Sequence, residues 1–197
     1  MRLLRLGFVA CLAADVGLGV IASLFLAPAW ASEVKMADSD DTSFASRAEA
    51  EAFLSRAIPA ATAANPKYRS PGQDVLTQWL TKSLSFREAE GGGVIVSTHE
   101  TNDQYRDGAL VKPGTHEATF AIDNVTVSLE TSDQDVTEGG EKAEGVLFRC
   151  VGAPCIEAVW DGQKSMGAWT DIYLQEPKSR AQIFAAFQAL QRKPPTR

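Results

Sequence analysis

The apolar positions of this chain follow three different periods. Over residues 6–27 they run almost unbroken, interrupted by Asp15, behind the positive charges of Arg2 and Arg5. Further on, Phe53, Leu54, Ala57 and Ile58 recur at helical spacing. They follow Ser46-Arg47-Ala48-Glu49, a capping box in which the serine oxygen and the glutamate carboxylate each satisfy a free backbone N–H. The pattern predicts a helix over 46–58, with Pro59 disturbing it.

After the loop signals Asn65-Pro66 and Ser70-Pro71-Gly72 the period shortens to two. Strands are predicted at 79–88, 94–98, 115–122, 125–131, 146–150, 155–160 and 171–174, seven in all, within a span of about 79–175. Gly91-Gly92-Gly93 and Asp123-Asn124 supply turns, and residues 102–114 form a polar loop. The acidic, glycine-bearing stretch 132–144 is expected to be a long hairpin tip. Helical spacing then returns in Ile183, Phe184, Phe187 and Leu190 behind Ser179 as N-cap. This predicts an amphipathic helix over 179–192, whose apolar stripe must cover something.

The first run has the order of a secretory signal: basic start, apolar middle, and small residues at the two positions of Ala29-Trp30-Ala31 that a signal peptidase reads. Residues 1–31 are therefore expected to be a signal peptide cleaved after Ala31, placing the protein in the periplasm or the medium. Asp15 would cost on the order of 3 kcal/mol in a permanent membrane span. An uncleaved anchor, and a lipid-bearing Cys11 after Val9-Ala10, are the rival readings. Residues 32–45, with Asp38, Asp40 and Asp41, are expected to be a disordered leader. Residues 46–193 then make a single globular domain.

Charge narrows the partners. The chain carries 19 Lys and Arg against 25 Asp and Glu, a formal net charge of −6, and loss of Arg2, Arg5 and Asp15 with the leader takes it to −7. With no clustered cations, nucleic acid is not an expected partner, and nothing favours anionic lipid. Cys150 and Cys155 are the two cysteines left after the leader, an even pair that suits an oxidising compartment. A disulfide between them is expected, stapling the two strands of one hairpin around Val151-Gly152-Ala153-Pro154.

Candidate chemistry is sparse. His99-Glu100 starts like a zinc-protease helix, but Asp103 stands where the second histidine belongs, and His116 is the one other histidine. Asp133, Asp135 and Glu144 occupy the first, third and twelfth positions of a calcium-loop template. Thr137 and Glu138 fill the fifth and sixth, however, so an acidic hairpin tip is expected instead. Residues 162–167 lack the spacing of a nucleophile elbow and are expected to be a solvated turn. Asn124-Val125-Thr126 has the form of a glycosylation acceptor, yet its place in a turn gives it a structural role. Trp79, Trp160 and Trp169 are expected at the core or its rim. No catalytic, metal or cofactor-binding residue is assigned, and no cofactor is expected.

The order of these elements resembles that of the PH-like (pleckstrin-homology-like) domains in exported bacterial proteins. The likeness is carried by Leu147-Phe148-Arg149-Cys150, by Cys155-Ile156, by Asp171-Ile172-Tyr173-Leu174, and by the final helix from Arg180 to Leu190. The resemblance implies an α+β fold: an antiparallel seven-stranded barrel capped by the C-terminal helix, with an N-terminal helix added. Phosphoinositide binding is not expected, because the first hairpin loop is Glu88-Ala89-Glu90-Gly91-Gly92-Gly93 rather than basic. The expected function is a non-enzymatic binding module for a peptide or protein, acting through a strand edge or the groove beside the last helix. The alternative is a lipocalin-like carrier of a small apolar ligand.

Overall fold

Period-two burial builds the sheet strand by strand. The computed structural model describes residues 43–191, so the expected signal peptide, its cleavage point and the leader up to residue 42 lie outside the described residues. A helix α1 (Arg47–Thr62) precedes ten strands. These are β1 (Tyr68–Arg69), β2 (Leu76–Glu88), β3 (Val94–Arg106), β4 (Ala109–Lys112), β5 (Thr115–Ala121), β6 (Val125–Thr137), β7 (Lys142–Cys150), β8 (Ile156–Trp160), β9 (Gln163–Gly167) and β10 (Trp169–Tyr173). Helix α2 (Pro177–Leu190) follows. The fold is α+β, as expected, but the antiparallel sheet is an open path ordered β10-β7-β6-β1-β2-β3-β5-β8-β9, with β4 beside β3. It is not a closed seven-stranded barrel.

The differences from expectation have local causes. β1, β4 and β9 are short or exposed on both faces and leave no alternating pattern. β3 runs on to Arg106 into the stretch expected as a loop, where it turns at Asp107 and Gly108 into β4, and the hairpin tip shrinks to the few residues between Thr137 and Lys142. Residues 163–167, expected as a solvated turn, are β9; only Asp161 and Gly162, both at positive φ, turn the chain. α1 passes through Pro59 to Thr62, because its last turn is tied to β2: the Thr62 hydroxyl accepts from Thr81 N at 3.0 Å and lies 3.3 Å from Thr81 O. α2 starts at Pro177, earlier than expected. Its cap is the Glu176 carboxylate, which accepts from the N–H groups of Lys178 and Ser179 and is thereby held below the usual carboxylate range.

One core joins these elements. Ala50, Leu54 and Ile58 of α1 and Ile183, Ala186, Phe187 and Leu190 of α2 bury against Leu84, Val96, Phe120, Val125, Val146, Phe148 and Ile172 of the sheet. Phe148 is its centre, with the Phe120 ring at 4.9 Å and the Phe187 ring edge-on at 4.8 Å. Each such ring contributes about 1.5–3 kcal/mol through burial. At Gly145 there is no room for a side chain: a Cβ would run into the backbone carbonyl of Ile172 on β10.

The stretches 115–137, 142–160 and 163–173 lie side by side, and each breaks midway. The breaks are a 3-10 turn at Ile122–Asn124, the loop 151–155, and Ala168. They are bonded to one another, Val151 N to Asn124 O at 2.9 Å and Cys150 N to Ala168 O at 2.8 Å, so the sheet bends along one line. The Cys150–Cys155 disulfide sits on that line. It does not staple a hairpin: β7 and β8 are not partners, β7 pairing with β6 and β10 and β8 with β5 and β9. The bond instead pinches off the loop where one long stretch changes direction.

Candidate functional site

Alternation puts a carboxylate at a core position. Val94, Val96 and Thr98 are buried at every second residue of β3, and the same phase carries on to Glu100. On β5 the buried series Phe120, Ala118 runs back to His116, and the β3–β5 register sets Glu100 opposite His116. The two meet at 2.9 Å between Glu100 Oε2 and His116 Nδ1, each side chain 5% exposed. Thr81 donates to the other Glu100 oxygen at 3.0 Å. Trp160 stacks on the imidazole at 4.0 Å, and Trp79 stands edge-on to both rings.

Around this pair the sheet curls. Tyr173 of β10 lies 6.0 Å from the Trp79 ring of β2, although β7, β6 and β1 separate the two strands in the ladder. In a flat sheet four ladder steps span roughly 19 Å. Tyr173 also stacks on Tyr68 of β1 at 4.9 Å, and the Asn65 amide bridges Tyr173 O at 2.7 Å and Trp79 O at 3.3 Å. The Tyr68 hydroxyl is buried and finds no hydrogen-bond partner among the described residues. Burial drives the pKa of both tyrosines up.

Beside the curl opens a cleft of about 300 Å3 between β6, β7 and β10. Glu130, Asp133, Asp135, Glu144 and Asp171 line it, with Arg149 as the one cation among the described lining residues and Trp169 58% exposed at its rim. Most of these carboxylates are engaged. Asp133 pairs with Lys142 at 3.0 Å, and Glu144 pairs with Arg180 of α2. Asp135 accepts from Ser70 at 2.5 Å, from Tyr173 at 2.8 Å and from Ser132 at 3.4 Å. Asp171 differs: among the described residues its carboxyl takes a hydrogen bond only from its own backbone N–H. Burial, with the negative charges of Glu100 and Asp135 nearby, pushes its pKa up to about 7, against a smaller opposing pull from His116.

The residues singled out in the sequence are thus dispersed. The three calcium-template carboxylates go to three different sets of partners, and the described residues contain no group of three His, Cys, Asp or Glu side chains placed to hold a metal ion. His99 is at the surface, 3.2 Å from Glu117. Trp79 and Trp160 wall the Glu100–His116 pair, whereas Trp169 stands exposed. The sequence did not point to Asp171 or to the Glu100–His116 pair; the β3–β5 register is the signal that would have found the pair. Comparison with family models, with curated proteins and with solved structures found no match, so the PH-like likeness has no support from them.

Proposed function

We propose that this protein is an extracytoplasmic, non-enzymatic binding module that takes a peptide or protein partner with basic side chains into the acidic cleft of β6, β7 and β10. The observation that carries this reading is Asp171, a carboxyl in the cleft lining that has no cation of its own among the described residues. A half-buried, unpaired carboxylate gains more from an arriving ammonium or guanidinium group than an exposed one does. The neighbouring carboxylates extend the negative potential outward and would steer a basic partner inward.

Two further features agree with this location and class. A Cys150–Cys155 disulfide suits an oxidising compartment, and no described helix is long and apolar enough to cross a membrane. The core beneath the cleft is occupied by Phe120, Phe148 and Phe187, which favours an interaction module over an apolar-ligand carrier. The test is isothermal titration of the protein with basic, neutral and acidic peptides of equal length at low and at high salt. Basic peptides bind, their affinity falls as salt rises, and Asp171→Asn weakens them at least about fivefold, which is roughly 1 kcal/mol. Equal binding of neutral or acidic peptides, or a lipid-sized mass retained in native mass spectrometry, overturns the reading.

A further inference from the structure

Two residues of opposite charge, Arg149 and Asp171, line the cleft without pairing with each other. Arg149 stands opposite Trp169 in the β7–β10 ladder, and Asp171 lies two residues beyond Trp169, opposite Leu147. Arg149 and Asp171 are therefore diagonal neighbours on one face, about 7–8 Å apart at the backbone, and both line the cleft. Among the described residues neither side chain forms an ion pair, although each of the other lining carboxylates but Glu130 and Asp135 is salt-bridged.

We propose that the cleft recognises a ligand that brings both charges itself, seating a cationic group on Asp171 and a carboxylate on Arg149. This rests on the proposed function and deepens it. Arg149 supplies the planar fork that matches a carboxylate in two parallel hydrogen bonds. Asp171 supplies a half-buried acceptor, and the negative charges of Glu130 and Asp135 exclude an anion everywhere except at Arg149. Opposite Arg149 in the ladder, the exposed indole of Trp169 offers a face to an aliphatic stem or a guanidinium plane. In a peptide, the residue that carries a side-chain cation and a carboxylate a short stem apart is a C-terminal lysine or arginine. Free lysine and arginine carry the same two groups.

The experiment titrates the full-length protein, following Trp fluorescence and heat, with acetyl-alanyl-alanyl-lysine as its free acid and as its amide, with the norleucine analogue as free acid, and with free lysine. The lysine acid binds at least about tenfold more tightly than either the amide or the norleucine acid, about 1.4 kcal/mol in each comparison. Arg149→Gln abolishes the preference for acid over amide but keeps that for lysine over norleucine, and Asp171→Asn does the reverse. Free lysine binding more weakly than the peptide assigns a peptide terminus as the source; tighter binding assigns a free amino acid to the same two anchors. Equal affinities for acid and amide on the native protein overturn the paired-charge recognition while leaving the basic-partner reading standing. Absence of binding by every basic probe sinks both.

Discussion

Glu100 and His116 are locked together across β3 and β5, 2.9 Å apart with both side chains 5% exposed, in a part of the sheet where the flanking positions are filled by Thr81, Trp79 and Trp160. A pair of this kind is worth little against an apolar replacement of the same shape, yet it is costly to break from one side. Glu100→Leu alone strands a buried imidazole, and His116→Phe alone strands a buried carboxylate. Each single variant is expected to lose about 3–5 kcal/mol in urea denaturation. The double variant should lose clearly less than the sum of the two. Additive losses would show that the two groups do not act as a unit.

Asp171 makes stability depend on pH in a sense opposite to that of most carboxylates. Its carboxyl is pushed up to about 7 in the folded chain, against about 3.9 in an unfolded one. Between these values the folded state holds a proton that the unfolded state has lost, so stability is full below about pH 4 and declines as pH rises toward 7. For this group alone the decline is on the order of a few kcal/mol, because holding that proton against the solution costs about 1.4 kcal/mol more with each step of one in pH. Asp171→Asn should flatten the profile over that window and raise the melting temperature at pH 8 relative to the native chain. An unchanged slope between pH 4 and 7 in the Asn variant would mean that other groups govern it. A cation in the cleft acts in the same direction as the substitution, so binding should tighten as pH rises through 7 and release a proton in titrations across buffers.

How far the sequence reaches is visible in the contrast between α2 and Asp171. The stripe of Ile183, Phe184, Phe187 and Leu190 is legible because one helix face decides its burial: Ile183, Phe187 and Leu190 are in the core, and Phe184 packs against it partly buried. Strands such as β3 and β5 are legible for the same reason at period two. β9 is not, since Gln163, Lys164, Ser165 and Met166 are all exposed and an edge strand without a buried face imprints no alternation. Pairing is harder still: the order of elements suggested a barrel, but nothing local says that β7 and β8 part company at Cys150 or that β10 curls back toward β2. The site depends on that pairing, because Glu100 meets His116 through register, and Asp171 feels the charges of Glu100, His116 and Asp135 on β3, β5 and β6, far away in the chain.

The disulfide marks a bend, and its contribution follows from that position. It closes a loop of sequence separation 5, for which chain entropy gives only about 2 kcal/mol. The Cys150→Ser, Cys155→Ser double variant should therefore fold, with a lowered melting temperature and native-like far-ultraviolet dichroism. Hydrogen exchange should rise first at the amides that cross the bend, Val151 and Cys150, which bond to Asn124 O and Ala168 O. Protection lost along the whole of β7 and β8 at once would instead give the bond the strand-stapling role expected from the sequence.

Gly145 tests the close approach of β7 and β10 that carries the cleft. The residue pairs with Tyr173, and a Cβ there meets the Ile172 carbonyl, which is backbone and cannot swing aside. Gly145→Ala must push β10 outward, and with it Asp171 and Tyr173, at a cost of about 1–3 kcal/mol from overpacking. The stacking of Tyr173 on Tyr68 and its bond to Asp135 weaken with the same displacement. Urea denaturation measures the first effect, and titration with a basic peptide measures the second. A variant that loses stability and keeps native affinity would place the binding surface away from β10. Loss of both together is the outcome expected of a cleft whose floor and whose anchor are one strand.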